Sequence, residues 1–244
     1  MRGFLAVYLR ELLIIWHRLP RMLLSFSVSP TLYLVAFGFG LGKDLTVEGR
    51  PYLEFLVPGV VAAASMMQGF GINVEINVAR FYLRIFEEFQ AAPISNWAYV
   101  LGEILGGVTR ALLSTLVILA ITALAGVKLH LGPAFFLGVF LNAFVFASLG
   151  VASAMLIRSH ADQALVTNFI ITPMVFLGGT FFPVEGLPAW ARLPLKLLPL
   201  THASHLIRNA AYGNPVPLTS LYILLIIAGL GFFLAYHSVD RARD

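Results

Sequence analysis

The sequence predicts an all-α integral membrane protein with six transmembrane helices, and three observations carry that prediction. Apolar residues make up 59% of the chain and charged ones 11%, against about 25% charged in an ordinary soluble domain. So few charges cannot cover a water-facing surface, and a soluble globule is excluded. Six stretches are apolar over the roughly 20 residues needed to cross a hydrocarbon core. No intervening run is long enough for a second domain and no repeat is apparent, so residues 1–244 read as one domain. The 16 Lys and Arg against 12 acids bear on orientation and lipid headgroups rather than nucleic acid. The absence of Cys removes disulfide, iron–sulfur and thiolate chemistry.

Residues 1–21 form the first element. Arg10, Glu11, Arg18 and Arg21 interrupt their apolar character, which argues against a cleavable signal peptide. At 100° per residue, Phe4, Leu5, Tyr8, Leu9, Leu12, Ile15, Trp16 and Leu19 share one arc, and Arg2, Arg10, Glu11, His17, Arg18 and Arg21 the other. That is an interfacial amphipathic helix, read either as a membrane anchor or as a platform for a soluble partner. The spans follow at about 22–42, 55–76, 106–126, 134–157, 164–182 and 218–236.

The loop at 80–95 places Phe81, Ile85 and Phe89 at i, i+4 and i+8, flanked by Arg80, Arg84, Glu87 and Glu88. A short surface helix is expected, stopped by Pro93, with Ser95 or Asn96 capping the next span. The segment 183–217 carries Pro183, Pro188, Pro194, Pro199, Pro215 and Pro217 among apolar residues such as Trp190. Broken helices re-entering the outer leaflet would satisfy both its apolar content and its backbone. One of them is expected from about His202 to Tyr212, with Thr201 as N-cap and Gly213 as stop.

Six spans put both termini on one side. That side carries Arg2, Arg10, Arg18, Arg21, Arg80, Arg84, Arg158, Arg241 and Arg243. The other carries Lys43, Arg50, Lys128, Arg192, Lys196 and Arg208. The positive-inside rule therefore makes both termini cytoplasmic. Arg110 lies inside the third span, one heptad from Glu103, and snorkelling toward the cytoplasm is its ordinary reading. Gln68, Asn142 and Asn168 are of the kind that tie helices together.

The run Phe37-Gly-Phe-Gly-Leu-Gly-Lys-Asp44 lacks the first Gly and the hydroxyl of a phosphate-binding loop, so any ATPase must be a separate chain. Glu87-Glu88 and the pair His202 and His205 fall on opposite predicted sides, which argues against a metalloprotease and leaves no expected metal site.

Three runs carry a resemblance: Tyr52-Leu-Glu-Phe-Leu-Val-Pro-Gly59, Glu87-Glu-Phe-Gln-Ala-Ala-Pro-Ile-Ser95, and Leu177-Gly-Gly-Thr-Phe-Phe-Pro183. The last is followed by Leu187-Pro-Ala-Trp190, Leu198-Pro-Leu-Thr201 and Arg208. In this order they resemble the ABC-2 type transporter permeases, including the short permeases of nodulation-factor, drug and polysaccharide export. The resemblance implies a prokaryotic cell-membrane subunit without a catalytic site or cofactor of its own. Two such chains would pair with two ATP-binding cassette subunits, which hold the ATP and Mg²⁺. It also implies that Arg80–Ser95 is the coupling helix, with Arg84, Glu87 and Glu88 as its polar contacts, and that the N-terminal helix contacts the ATPase. Gln90, Ala91 and Ala92 depart from the Leu-rich run usual before Pro93.

On this reading a homodimer lines the substrate path with Phe26, Tyr33, Phe37, Met66, Met67, Phe70, Phe176 and Phe181, an adaptable surface for a lipid, lipid-linked saccharide or drug. Two alternatives remain. An ATP-independent carrier or channel would need paired intramembrane charges, to which Arg110 and Glu103 point. A membrane-embedded enzyme would need convergent catalytic groups on one side of the bilayer.

Overall fold

The computed structural model describes residues 2–42, 45–83, 85–157 and 159–242. Helix α1, Arg2–Tyr33, runs on through wider π-type turns over Leu34–Leu41. A hairpin of β1 (Thr46–Val47) and β2 (Arg50–Pro51) follows, turning through Glu48 and Gly49 at φ 55° and 75°. Then come α2 (Tyr52–Phe70) and α3 (Ile72–Asn77), extended through Val78–Tyr82, and the short α4 (Ile85–Ala91). Two long helices, α5 (Asn96–Leu124) and α6 (Pro133–Leu156), precede α7 (His160–Val166) and α8 (Thr172–Leu177), which are joined by π-type turns. Helices α9 (Ala189–Leu195), α10 (Pro199–Ala211) and α11 (Leu218–Arg241) complete the chain.

Among the described residues, five helical stretches are long and apolar enough to cross a membrane: Gly3–Gly40, Tyr52–Tyr82, Asn96–Leu124, Pro133–Leu156 and Leu218–Arg241. A shorter apolar helix, Ala161–Leu177, falls where the fifth span was expected. The stretch Tyr52–Tyr82 is central, with 78% of its most apolar part buried, whereas the first and last bury 22% and 28% and turn the rest outward. Lipid offers no hydrophobic drive between helices, so close approach of small residues holds the centre. A side chain at Gly69 would meet the Ala143 carbonyl, and one at Gly107 the Gly69 carbonyl. Asn142 adds a polar tie, its Nδ2 donating to the Ala62 carbonyl and Ser65 Oγ, both at 2.8 Å.

The molecule has two distinguishable ends. A side chain at Gly3 would touch Ile94, Asn96 Nδ2 donates to Asp240 Oδ1 at 2.6 Å, and Arg80 Nη1 donates to the Ala154 and Met155 carbonyls. The start of α1, the α4 loop, the end of α6 and the end of α11 therefore share one end. The hairpin, α9 and α10 occupy the other, where the His130 N–H donates to the Ala211 carbonyl.

Three boundaries differ from the sequence reading. The expected division at residue 21 is absent from the described helix, which is continuous through Pro20 and Pro30. A proline forfeits its own N–H bond but need not end a helix that is held elsewhere, and Val7 and Ile15 are buried against neighbours. At 38 residues the stretch is about 57 Å long, well beyond the roughly 30 Å core. The loop helix begins at Ile85 rather than Arg80, because the preceding span continues through Tyr82. Helix α10 begins at Pro199, a residue suited to the first helical position, and Thr201 Oγ1 donates to the Leu195 carbonyl instead of capping. It ends before Gly213, which adopts φ 72°.

Candidate functional site

Six charged side chains meet near the end that carries the termini. Arg10 Nη1 lies 2.9 Å from Glu11 Oε1 and 3.5 Å from Glu103 Oε1. Arg110 reaches Glu11 Oε2 through Nη2 at 3.2 Å and Glu75 Oε1 through Nη1 at 3.3 Å. Arg18 adds a further contact to Glu75 at 3.2 Å. The chain of pairs thus runs Glu103, Arg10, Glu11, Arg110, Glu75, Arg18, and its formal charge sums to zero. Glu11 and Glu103 are each 1% exposed. Charges so buried persist only when paired.

Local sequence explains how α1 comes close enough. Gly102 and Gly106 leave a groove on α5, where added side chains would meet Val7 and Glu11. This small-xxx-small stripe is a sequence signal for close helix approach. The apolar arc of α1 is divided: Leu5, Leu9 and Trp16 are exposed by 48%, 54% and 73%, whereas Ile15 is buried and the Tyr8 hydroxyl meets Thr109 on α5. Glu11, expected on the water-facing arc, is instead turned inward onto α5. The cause is the salt bridge to Arg110, a residue 99 positions away that the sequence reading could not place beside it. Arg110 itself does not pair with Glu103: the two lie about 10 Å apart along one helix, and carboxylates from α1 and α3 are nearer.

The α4 loop joins this network through Phe89, whose ring lies 5.3 Å from the Arg10 guanidinium and 5.4 Å from the Tyr99 ring. Glu88 and Pro93 are exposed. Arg80 is engaged on the last carbonyls of α6 and over the Phe81 ring. Arg84 and the side chain of Glu87 lie outside the described residues.

At the opposite end Arg50 pairs with Glu54 at 3.3 Å, but the contacts that join α2, the turn after α8 and α10 are to backbone. Tyr52 Oη donates to the Phe181 carbonyl at 2.7 Å. Arg208 is 7% exposed and donates from Nε to the Phe55 carbonyl and from Nη2 to the Gly179 carbonyl, with its guanidinium 3.8 Å from the Phe55 ring centroid. Burial pushes its pKa down to about 10, partly offset by Tyr212 and by the acids Glu48 and Glu185. Gly59 allows α2 against the turn after α8, since a side chain there would strike the Thr180 carbonyl. Pro183 is half-buried, Pro199 starts α10, and Trp190 projects at 79% exposure.

The ABC-2 type transporter model matches residues 2–212. The chain belongs to the ABC-2 type transporter family. Its relatives include Nodulation protein J of Neorhizobium galegae, 33% identical over 98% of this chain and 93% of that protein. Nodulation protein J of Sinorhizobium fredii is 32% identical over 87% and 83%. Inner membrane transport permease YadH of Escherichia coli K12 is 26% identical over 93% and 92%. As an ABC-2 permease it is an integral membrane subunit of a transporter, a class that works with an ATP-binding subunit.

Two of the three runs that carry the resemblance meet each other in this ABC-2 chain. Tyr52, Phe55 and Gly59 of the first touch Gly179, Thr180 and Phe181 of the last, and Arg208 bridges them. The middle run lies at the far end with the ion pairs. Of the expected path residues, Phe26, Tyr33 and Met67 line one cavity of about 220 Å³ together with Gln68, Ser114 and Val175, bringing α1, α2, α5 and α8 together. Phe181 joins the other two expected rings, tilted against Phe37 and stacked on Phe176 with ring centroids 4.8 and 5.4 Å apart. Met66 and Phe70 do not join them. Met66 is fully buried in the core, and Phe70 faces an apolar groove with Phe146 and Ile170. Neighbouring positions on one helix point to different faces, which separates Met66 from Met67.

Proposed function

We propose that this permease works as a homodimer whose six-span protomers enclose a path for an amphipathic cargo, exported as two separate ATP-binding subunits open and close. The observation that carries this reading is the ion-pair chain between α1, α3 and α5, linked to the α4 loop through Phe89 and Arg10. Both elements expected to meet an ATPase, the N-terminal helix and the α4 loop, are mechanically continuous with the spans. A push on either would reach α5 through these contacts. ATP and Mg²⁺ are held by the partner. Only contacts that differ between two states of the dimer can drive the transition.

The topology proposed has both termini in the cytoplasm, with α7–α8 as the fifth span and α9–α10 re-entrant in the outer leaflet. Arginine enrichment at the end that carries the termini supports it. Exposed Trp190, Leu193 and Leu197 support immersion of α9. The cavity bounded by Phe26, Tyr33, Met67 and Gln68 mixes polar and apolar groups, which suits a lipid, lipid-linked saccharide or drug. Paired charges would also serve an ATP-independent carrier, but here Arg10–Glu103, Arg18–Glu75, Arg110–Glu11 and Arg110–Glu75 tie helix to helix within a family that works with an ATPase.

Affinity purification of the full chain from its native cell in mild detergent, with ATPase assay of the eluate, tests this. The expected result is a near-equimolar soluble protein containing a phosphate-binding loop, with vanadate-sensitive hydrolysis. Recovery of the chain alone, transporting without that partner, would favour the carrier. Glu88→Arg, at an exposed position, should lower recovery of the ATPase and leave membrane insertion unchanged. Equal recovery would remove the α4 surface from the interface.

A further inference from the structure

At the end away from the termini, a cavity of about 250 Å³ opens between the hairpin, the turn after α8 and α10. It is smaller than the roughly 300 Å³ at which pockets for drug-sized ligands begin, which restricts its occupant to a headgroup-sized polar group. Arg208 lines it from a buried position. Two of its nitrogens are used on carbonyls, and among the described residues Nη1 has no hydrogen-bond partner. Glu48 and Glu185, both exposed, line the same cavity and act electrostatically on Arg208 and His205.

The placement of Glu48 is specific. It occupies the first position of a two-residue hairpin turn at φ 55°, a conformation that ordinarily selects Asn, Asp or Gly. The chain sets a carboxylate there although its backbone prefers another residue, which favours a role for the side chain.

The charge pattern limits the chemistry. A simple anion attracted to Arg208 would be repelled by two carboxylates, and a simple cation drawn to the carboxylates would meet a guanidinium. Burial also pushes the His205 pKa down, which leaves the carboxylates unneutralised by it. We propose that this cavity binds a zwitterionic amino-phosphate group, its phosphate on Arg208 and its ammonium between Glu48 and Glu185. A second cavity of about 390 Å³ shares Glu185 and His205 with the first and reaches Ser220 and Ile223 on α11. It gives an attached acyl chain a route to the apolar outer face of that helix. A phosphatidylethanolamine headgroup and a soluble phosphoethanolamine share the recognised chemistry. The proposal depends on the topology above only for the leaflet concerned, not for the binding itself.

The test is titration of the full chain in detergent with short-chain phosphatidylethanolamine and with phosphatidylglycerol of the same chains, read by native mass spectrometry. Phosphatidylethanolamine should bind about tenfold more tightly, and the Glu48→Gln/Glu185→Gln double variant should erase that preference, weakening phosphatidylethanolamine and strengthening phosphatidylglycerol as the repulsion is removed. Arg208→Gln should weaken both lipids. If that buried substitution fails to fold, the exposed double variant decides alone. Competition by free phosphoethanolamine would identify a soluble zwitterion as a sufficient ligand, and its failure to compete would identify the lipid. Equal affinity for the two lipids, or a preference that survives the double variant, would overturn the proposal.

Discussion

The two ends of the molecule are held by different chemistry. Near the termini, cations meet carboxylates, and Arg10 and Arg110 each have two acceptors on different helices. At the far end, Arg208 and Tyr52 donate to carbonyls of Phe55, Gly179 and Phe181. A side-chain pair with alternative partners can be redistributed when helices shift, whereas a carbonyl in a packed turn is fixed by its own backbone. The first arrangement suits the proposed response of this end to a moving ATP-binding subunit. The second suits an end that keeps α2, α8 and α10 in register while the rest moves.

The largest expected effect separates these chemistries. Arg110→Ala leaves Glu11 without its deeper partner, and breaking a buried pair from one side costs about 3–5 kcal/mol. Thermal unfolding of the purified full chain should show this loss, and adding Glu11→Gln should recover part of it by removing the stranded carboxylate. Arg208→Ala should also destabilise, by about 1–3 kcal/mol for each buried acceptor left unpaired. It should admit no comparable single-site rescue, because its acceptors are main chain. Rescue at both ends, or at neither, would break the distinction.

A smaller effect tests rigidity directly. An alanine at Gly59 would drive its Cβ into the Thr180 carbonyl oxygen, whereas at Gly106 it would lie 2.9 Å from the Glu11 side chain. Overpacking typically costs about 1–3 kcal/mol. Gly59→Ala should fall at the upper end, since backbone faces backbone. Gly106→Ala should cost less in unfolding temperature but should loosen α1 from α5, read as faster hydrogen exchange along residues 7–15. An equal cost without faster exchange would mean that α1 is as rigidly held as the far end.

What the sequence disclosed follows the same division. The long apolar stretches and the break at Gly213 are set by local composition, and they were legible. So were the residues that carry the family resemblance. The ion-pair chain was not, because Glu11 and Arg110 are 99 positions apart and a helical-wheel argument treats any charge as water-facing. The continuity of α1 past residue 21 was hidden for a related reason, since the change from an amphipathic to a uniformly apolar pattern there reads as a boundary. The packing of Val7 and Glu11 into the Gly102–Gly106 groove draws the first half of α1 onto α5, and that packing is tertiary. Met66 and Met67 show the limit on lining residues, since composition chose both and helix geometry admits one.

The smallest effect concerns acidity at the far end. Burial lowers the His205 pKa below its ordinary 6.5, with the nearby Glu185 opposing and Arg208 reinforcing the shift. The sign follows from which state takes the proton first. As pH falls through about 6.5 the unfolded chain is protonated before the folded one, so this contribution to stability is whole above that range and declines below it. Unfolding temperature should therefore fall modestly between pH 7.5 and 5.5, and His205→Gln should reduce the fall. Were the variant to keep the full decline, the acid sensitivity would belong elsewhere, and the carboxylates of the ion-pair chain would be the next to substitute. The far end would then be the less pH-dependent of the two, as a scaffold built on main-chain acceptors ought to be.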